Sequence, residues 1–118
     1  TGIAIAAVAD QRLYDTVYQE RYMNTPQNNP EGYRKGSPIS YTDGLKGNLL
    51  LIHGTGDDNV HYQNCEMLVD ELVKHGKIFS QISYPMRSHS IYEREGTTMH
   101  LRKSMADYWL KHLPAGGR

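Results

Sequence analysis

Neither sign of charge predominates in this chain: 13 Lys and Arg balance 13 Asp and Glu, a formal net charge of zero over 118 residues. Without a basic field there is no electrostatic footprint for nucleic acid or an anionic membrane, so neither is expected as a partner. No apolar run approaches the ~18 residues that a membrane-spanning helix needs. Cys65 is the single cysteine, which excludes an internal disulfide and leaves the compartment unmarked. Phe and Trp occur once each, against nine tyrosines. A packed core draws more on Phe and Leu, whereas tyrosine serves where one end of a ring is apolar and the other wet. A pocket lining is therefore expected.

What is present is organised around Asn48–Tyr62. Leu49–Ile52 is a short apolar run bounded by turn residues, the signature of a strand buried on both faces. Gly54 and Gly56 break it, Asp57 and Asp58 follow, and a helical pattern begins at about Val60. A buried parallel strand ending this way puts both carboxylates on the carboxyl edge of a sheet, where ligands bind in open α/β folds.

Upstream, Thr1–Asp10 has no initiator Met and begins inside what reads as a strand, Ile3–Ala9, so the chain is expected to be the C-terminal piece of a longer protein. Asp10 ends that strand and is placed to cap a helix over Gln11–Met23. On that helix Tyr14, Tyr18 and Tyr22 share one face, as core packing or as an aromatic pocket wall. Asn29, Pro30 and Glu31 form a helix start that runs to Gly36, followed by irregular surface chain to Gly47. Beyond the central strand, Tyr62, Cys65, Val69, Leu72 and Val73 define an amphipathic helix over His61–His75, with Gly76 as its left-handed terminator. Ile78–Tyr84 is the last strand. A loop over Met86–Gly96 carries His89, and a final helix runs from Thr97, as N-cap, to His112, with Pro114 beyond it. Strands alternating with helices predict an α/β fold with parallel pairing and right-handed crossovers. No internal repeat is present.

Two consecutive strand ends thus carry polar loops, one with Asp57, Asp58 and Asn59, the other with His89. Asp57 and His89 stand 32 residues apart, the length of one strand–helix–strand unit, so neighbouring parallel strands bring them together. Asp before His in this order matches the second half of the Ser…Asp…His order of α/β-hydrolases. A histidine acting as base toward a serine needs a carboxylate on its Nδ1 hydrogen to hold one tautomer and stabilise the imidazolium. Asp58 is assigned instead to capping at the following helix start. A metal reading of His53, Asp57, Asp58 and His61 is weaker, because the histidines flank a tight loop and are not one helical turn apart. No metal or cofactor is expected. His75, His100 and His112 read as solvated helix residues, and Cys65 as a small core residue.

Three blocks carry a more specific signal. His53-Gly54-Thr55-Gly56-Asp57-Asp58-Asn59-Val60-His61, Leu13-Tyr14-Asp15-Thr16-Val17-Tyr18-Gln19-Glu20-Arg21-Tyr22-Met23 and Tyr84-Pro85-Met86-Arg87-Ser88-His89 resemble the dipeptidyl peptidase IV branch of the prolyl oligopeptidase family, in its order and spacing. The resemblance runs over essentially the whole chain. It implies the C-terminal portion of an α/β-hydrolase catalytic domain, with Asp57 as triad acid and His89 as triad base. It further implies that Val8, Tyr14, Tyr18 and Val60 line a small apolar pocket for a penultimate Pro or Ala of a peptide substrate. Asn59 would bond a substrate carbonyl, and Tyr22 would stay with packing.

The departures from the family pattern are Gln11, where Trp is common, Ser90, where Gly is frequent, and the missing Gly-x-Ser-x-Gly nucleophile motif. The chain is therefore expected to supply the acid and base of a serine peptidase, to lack its nucleophile and to be inactive alone. The alternatives are an acylaminoacyl peptidase or esterase of the same superfamily, or a non-catalytic binding domain. Export to the periplasm or outside the cell is suggested by the resemblance alone. A cut sheet predicts an exposed apolar surface or open strand edge through which copies self-associate.

Overall fold

The computed structural model describes residues 1–113 and Gly116; the helix stop expected at Pro114 lies outside the described residues. Three parallel strands, β1 (Gly2–Ile5), β2 (Leu49–Gly54) and β3 (Ser80–Tyr84), form one sheet in the order β1-β2-β3. Ile3 lies opposite Leu50 and Ile52 opposite Ile82, which fixes the register on both sides of β2. Between β1 and β2 run a 3-10 turn at Gln11–Leu13, helices α1 (Thr16–Met23) and α2 (Pro30–Gly36), and a 3-10 segment at Pro38–Gly44. Helix α3 (Gln63–Lys74) joins β2 to β3, and α4 (Thr97–His112) follows β3.

The apolar run in β2 faces both ways. Leu50 and Ile52 pack with Tyr84, Ile91, Leu101 and Tyr108 under α4, while Leu51 packs with Ala9, Leu68 and Leu72 under α3. All three β2 side chains are nearly fully buried, each contributing about 1.5–3 kcal/mol of transfer free energy. This is the two-sided burial that the run predicts, in a helix–sheet–helix sandwich. Gly76 ends α3 with φ +62, as expected of a left-handed terminator, and Asn29 caps α2 through a bond to the Gly32 amide.

Several boundaries differ from the sequence expectation. The first strand stops at Ile5 because Ala6 turns into the left-handed region at φ 46, so Ala7–Ala9 leave the sheet. Asp10 does cap, but its helix is the short 3-10 turn; α1 begins only at Thr16, with Asp15 accepting from the Val17 and Tyr18 amides. Residues 38–44 form a 3-10 segment that buries Thr42, where irregular surface chain was expected. Helix α4 starts from Gly96 at φ 78, and Thr97 is its first helical residue, not its cap. Tyr22 is 67% exposed and meets Tyr18 at a tilt, 5.1 Å between centroids, so it is no core residue. Val73 is exposed as well, and Leu68 occupies the inner face of α3.

Candidate active site

The carboxyl ends of β2 and β3 close on each other through backbone contacts. The Thr55 amide donates to the Tyr84 carbonyl at 2.9 Å, the Gly56 amide donates to the Arg87 carbonyl at 3.1 Å, and the Met86 amide donates to Thr55 Oγ1 at 2.8 Å. Such close approach requires glycine: a Cβ at position 54 would sit 2.2 Å from the Arg87 carbonyl oxygen, and one at position 56 would sit 3.2 Å from Met86 Cα. The two loops are therefore one packed unit.

Asp57 stands at its centre with a fully buried carboxylate. Its Oδ1 accepts from the amides of Asn59 at 2.9 Å and Val60 at 2.8 Å. Its Oδ2 lies 3.0 Å from His89 Nδ1. A nitrogen facing a carboxylate carries the hydrogen, so in the neutral ring Nε2 of His89 holds the free lone pair. His89 is 39% exposed at its side chain and lines an open polar hollow of about 570 Å³ together with Tyr14, Asp58, Asn59 and Tyr92. A buried acid orienting a half-exposed imidazole at the edge of a hollow is an arrangement that can take a proton from a hydroxyl presented there.

The His89 loop is pinned at several points. Arg87 donates from Nε and Nη2 to Thr97 Oγ1 at 3.1 and 3.0 Å and from Nη1 to the Pro85 carbonyl, which ties the loop to α4. Glu93 Oε1 accepts from the Ser88 amide at 2.9 Å and Oε2 from the Tyr92 amide at 3.2 Å. Hydrogen bonding from Ser88, chiefly its side chain, with backbone amides adding to it, holds the Glu93 carboxyl down to about 2. Met86 and Ile91 both lie in the left-handed region, at φ 56 and 49. For the β-branched Ile91 that conformation costs roughly 1–3 kcal/mol, and its complete burial in the α4-side core holds it there.

The residues singled out in the sequence are distributed unevenly around the hollow. Tyr14 and Asn59 line it beside His89. Tyr18 is exposed and stacks edge-on against Tyr14 at 5.7 Å. Val60 is buried, bonded through its backbone to Asp57. Val8 lines a different, apolar hollow with Leu45, Leu68 and Leu72. Gln11, in place of an aromatic, bonds the Gly36 carbonyl and accepts from the buried Gln19. Asp58 does not cap, because Asp57 Oδ1 takes the amides of the turn, leaving Asp58 only the His89 amide at 3.5 Å among the described residues. Among the described residues no group of three or more His, Cys, Asp or Glu side chains is arranged to hold a metal. His100 bonds the Tyr84 hydroxyl and His75 bonds Thr42 Oγ1, while Cys65 is buried and its thiol is pushed up to about 11 by that burial.

Two polar residues were missed. His53, in β2, is 2% exposed, with Nε2 at 2.8 Å from the Val60 carbonyl and 3.1 Å from Asp57 Oδ2. Asn64, fully buried on α3, accepts from the Ala9 and Asp10 amides and donates to the Leu13 and His61 carbonyls, anchoring the segment that leads to Tyr14. For His53 the signal was a lone polar residue at the end of an apolar strand, four before the acid.

Comparison with known proteins supports the fold and gives the family. Residues 1–116 match the model of the prolyl oligopeptidase family. The chain is 45% identical over 111 residues to "Probable dipeptidyl-aminopeptidase B" of Uncinocarpus reesii, covering 92% of this chain and 12% of that protein. It is 48% identical over 101 residues to the protein of the same description from Coccidioides posadasii, covering 83% and 11%. Among solved structures, dipeptidyl peptidase 4 of Porphyromonas gingivalis superposes with a TM-score of 0.92 at 42% identity, over 95% of this chain and 16% of that one. The chain thus spans about an eighth of the length of the curated relatives it matches.

Proposed function

Because this chain belongs to the prolyl oligopeptidase family, we propose that it supplies the acid and base of a serine peptidase that releases dipeptides from peptide amino termini. The observation that carries this reading is the contact of 3.0 Å between the buried Asp57 carboxylate and Nδ1 of the half-exposed His89. The nucleophilic serine comes from the rest of the parent protein, so the chain alone turns over nothing.

In the intact enzyme the serine Oγ attacks the carbonyl carbon after the second substrate residue, and His89 Nε2 takes its proton. His89 then returns that proton to the leaving amine, and the acyl-enzyme is hydrolysed by water activated in the same way. Asp57 stays ionised throughout. It orients the ring and stabilises the imidazolium. Tyr14 and Tyr18 form the aromatic wall of the pocket for a Pro or Ala side chain, and Asn59 bonds a substrate carbonyl; Val8, in the apolar hollow with Leu45, Leu68 and Leu72, and the buried Val60 do not share the hollow beside His89. The tyrosine pair at 5.7 Å supports an aromatic wall on this side.

The test is a panel of Gly-Pro, Ala-Ala and acylated dipeptide substrates on the full-length enzyme. A small apolar pocket discriminates by about 1–3 kcal/mol per methylene-sized mismatch, so Gly-Pro and Ala-Ala lead the ranking. Preference for the acylated substrate would refute the dipeptidyl assignment. For the isolated chain we propose self-association through the outer edge of β1, which has no strand partner among the described residues.

A further inference from the structure

We propose that His53 is a positioning residue for the acid–base pair, fastening the Asp57 carboxylate to the central strand so that it meets His89 in one orientation. This rests on the assignment of Asp57 and His89 given above. Both amides that bond Asp57 Oδ1 come from its own loop, at Asn59 and Val60. Those bonds set the carboxylate relative to the loop but leave loop and acid free to shift together. His53 is different: it belongs to β2, paired in register with Ser83 and flanked by the buried Ile52. Two oxygen acceptors face its Nε2, the Asp57 carboxylate at 3.1 Å and the Val60 carbonyl at 2.8 Å, so that nitrogen carries a hydrogen in any protonation state of the ring. One donor therefore ties the sheet to the acid turn at Val60, and it does so with the Asp57 carboxylate 3.1 Å away. The Tyr62 ring, edge-on at 5.4 Å and 89°, holds the imidazole in this plane.

A second consequence is electrostatic. Asp57 accepts hydrogen bonds from His89 on Oδ2 and from the two amides on Oδ1, and the polar N–H of His53 stands 3.1 Å from Oδ2 beside them. A donor on the carboxylate stabilises its charge and makes it a weaker base toward His89. Without the His53 hydrogen, Asp57 holds the His89 imidazolium more tightly, and the base is lost to protonation at a higher pH. An apolar side chain would suit a buried strand position at lower desolvation cost, so the imidazole is explained by what it bonds and not by packing.

Three substitutions in the full-length peptidase separate reach from polarity. Gln places an amide nitrogen close to the position of imidazole Nε2, Asn falls short of it, and Phe fills the volume with no donor. We expect H53N and H53F to lose about 10-fold to 100-fold in kcat with little change in KM, through loss of the bond that holds the acid turn and of the N–H beside the Asp57 carboxylate. In both, the acid limb of the kcat/KM profile moves to higher pH. H53Q recovers most of the turnover and the original limb. Wild-type kcat and limb in a folded H53N or H53F would overturn the proposal. So would an H53Q enzyme that loses its turnover, and that result decides the matter even if the other two fail to fold. D57N and H89A in the same background serve as controls. If they remain active, the acid–base assignment itself is wrong; if they are dead while H53N is normal, only the role of His53 fails.

Discussion

The most demanding consequence of the packed double loop concerns Gly54, a residue that touches no substrate. An alanine Cβ there would lie 2.2 Å from the Arg87 carbonyl oxygen, 2.8 Å from that of Ser88 and 2.9 Å from the Arg87 carbonyl carbon. Ordinary van der Waals contact begins near 3.4 Å, so the backbone of the His89 loop has to retreat by more than 1 Å. Neither side yields easily: β2 is hydrogen-bonded on both edges, and the loop is held by Arg87 on Thr97 and by Glu93 on Ser88 and Tyr92. Retreat of that size takes His89 Nδ1 from 3.0 Å to roughly 4 Å from Asp57, beyond hydrogen-bond reach. Misplacement by 1 Å costs about 10²-fold in rate, and overpacking adds about 1–3 kcal/mol of destabilisation. In the full-length peptidase, Gly54→Ala is expected to fold with a lowered melting temperature and to lose about two orders of magnitude in kcat/KM. An active, fully stable Gly54→Ala enzyme would refute the close packing of the two loops.

Three further expectations follow from individual contacts. Glu93 has a carboxyl lowered to about 2 from its ordinary 4.5, so its hold on the His89 loop is complete above about pH 4.5 and is lost as pH falls through about 2; the exchange protection factors of the Ser88 and Tyr92 amides fall across that window, and Glu93→Gln removes the dependence. Asn64→Leu strands the Ala9 and Asp10 amides and the Leu13 carbonyl near the base of α3, each costing about 1–3 kcal/mol where water cannot reach, which chemical denaturation of the parent measures as a lowered midpoint. The isolated chain, with β1 open on one side, elutes above monomer size in size-exclusion chromatography with a concentration-dependent volume; a monomer at all concentrations would exclude pairing through that edge.

Much of the fold was legible because its central strand carries a two-sided apolar run, a pattern that solvent-facing strands do not produce. The approach of Asp57 and His89 was legible for the same reason, since order and spacing on adjacent parallel strands place both at one sheet edge. What stayed hidden depends on atoms rather than periods. Adjacent carboxylates look alike in sequence, and only the loop conformation gives the turn amides to Asp57 and leaves Asp58 with the amide of His89. The left-handed turn at Ala6 has no glycine to announce it, so the first strand reads too long. His53 and Asn64 are buried by partners more than three residues away, along directions that hydrophobic patterning does not encode. Within the tyrosine stripe the burial expected of Tyr22 was wrong, because nothing among the described residues covers the outer face of α1.

The central claim is that Asp57, and not its neighbour, holds His89 for proton transfer. Turnover of a Gly-Pro substrate by the full-length enzyme carrying D57N or D58N tests it most directly. The buried contact predicts a loss of about 10⁴ in kcat for D57N, the scale of removing a triad acid, and a far smaller loss for D58N. A dead D58N enzyme beside an active D57N enzyme would contradict it.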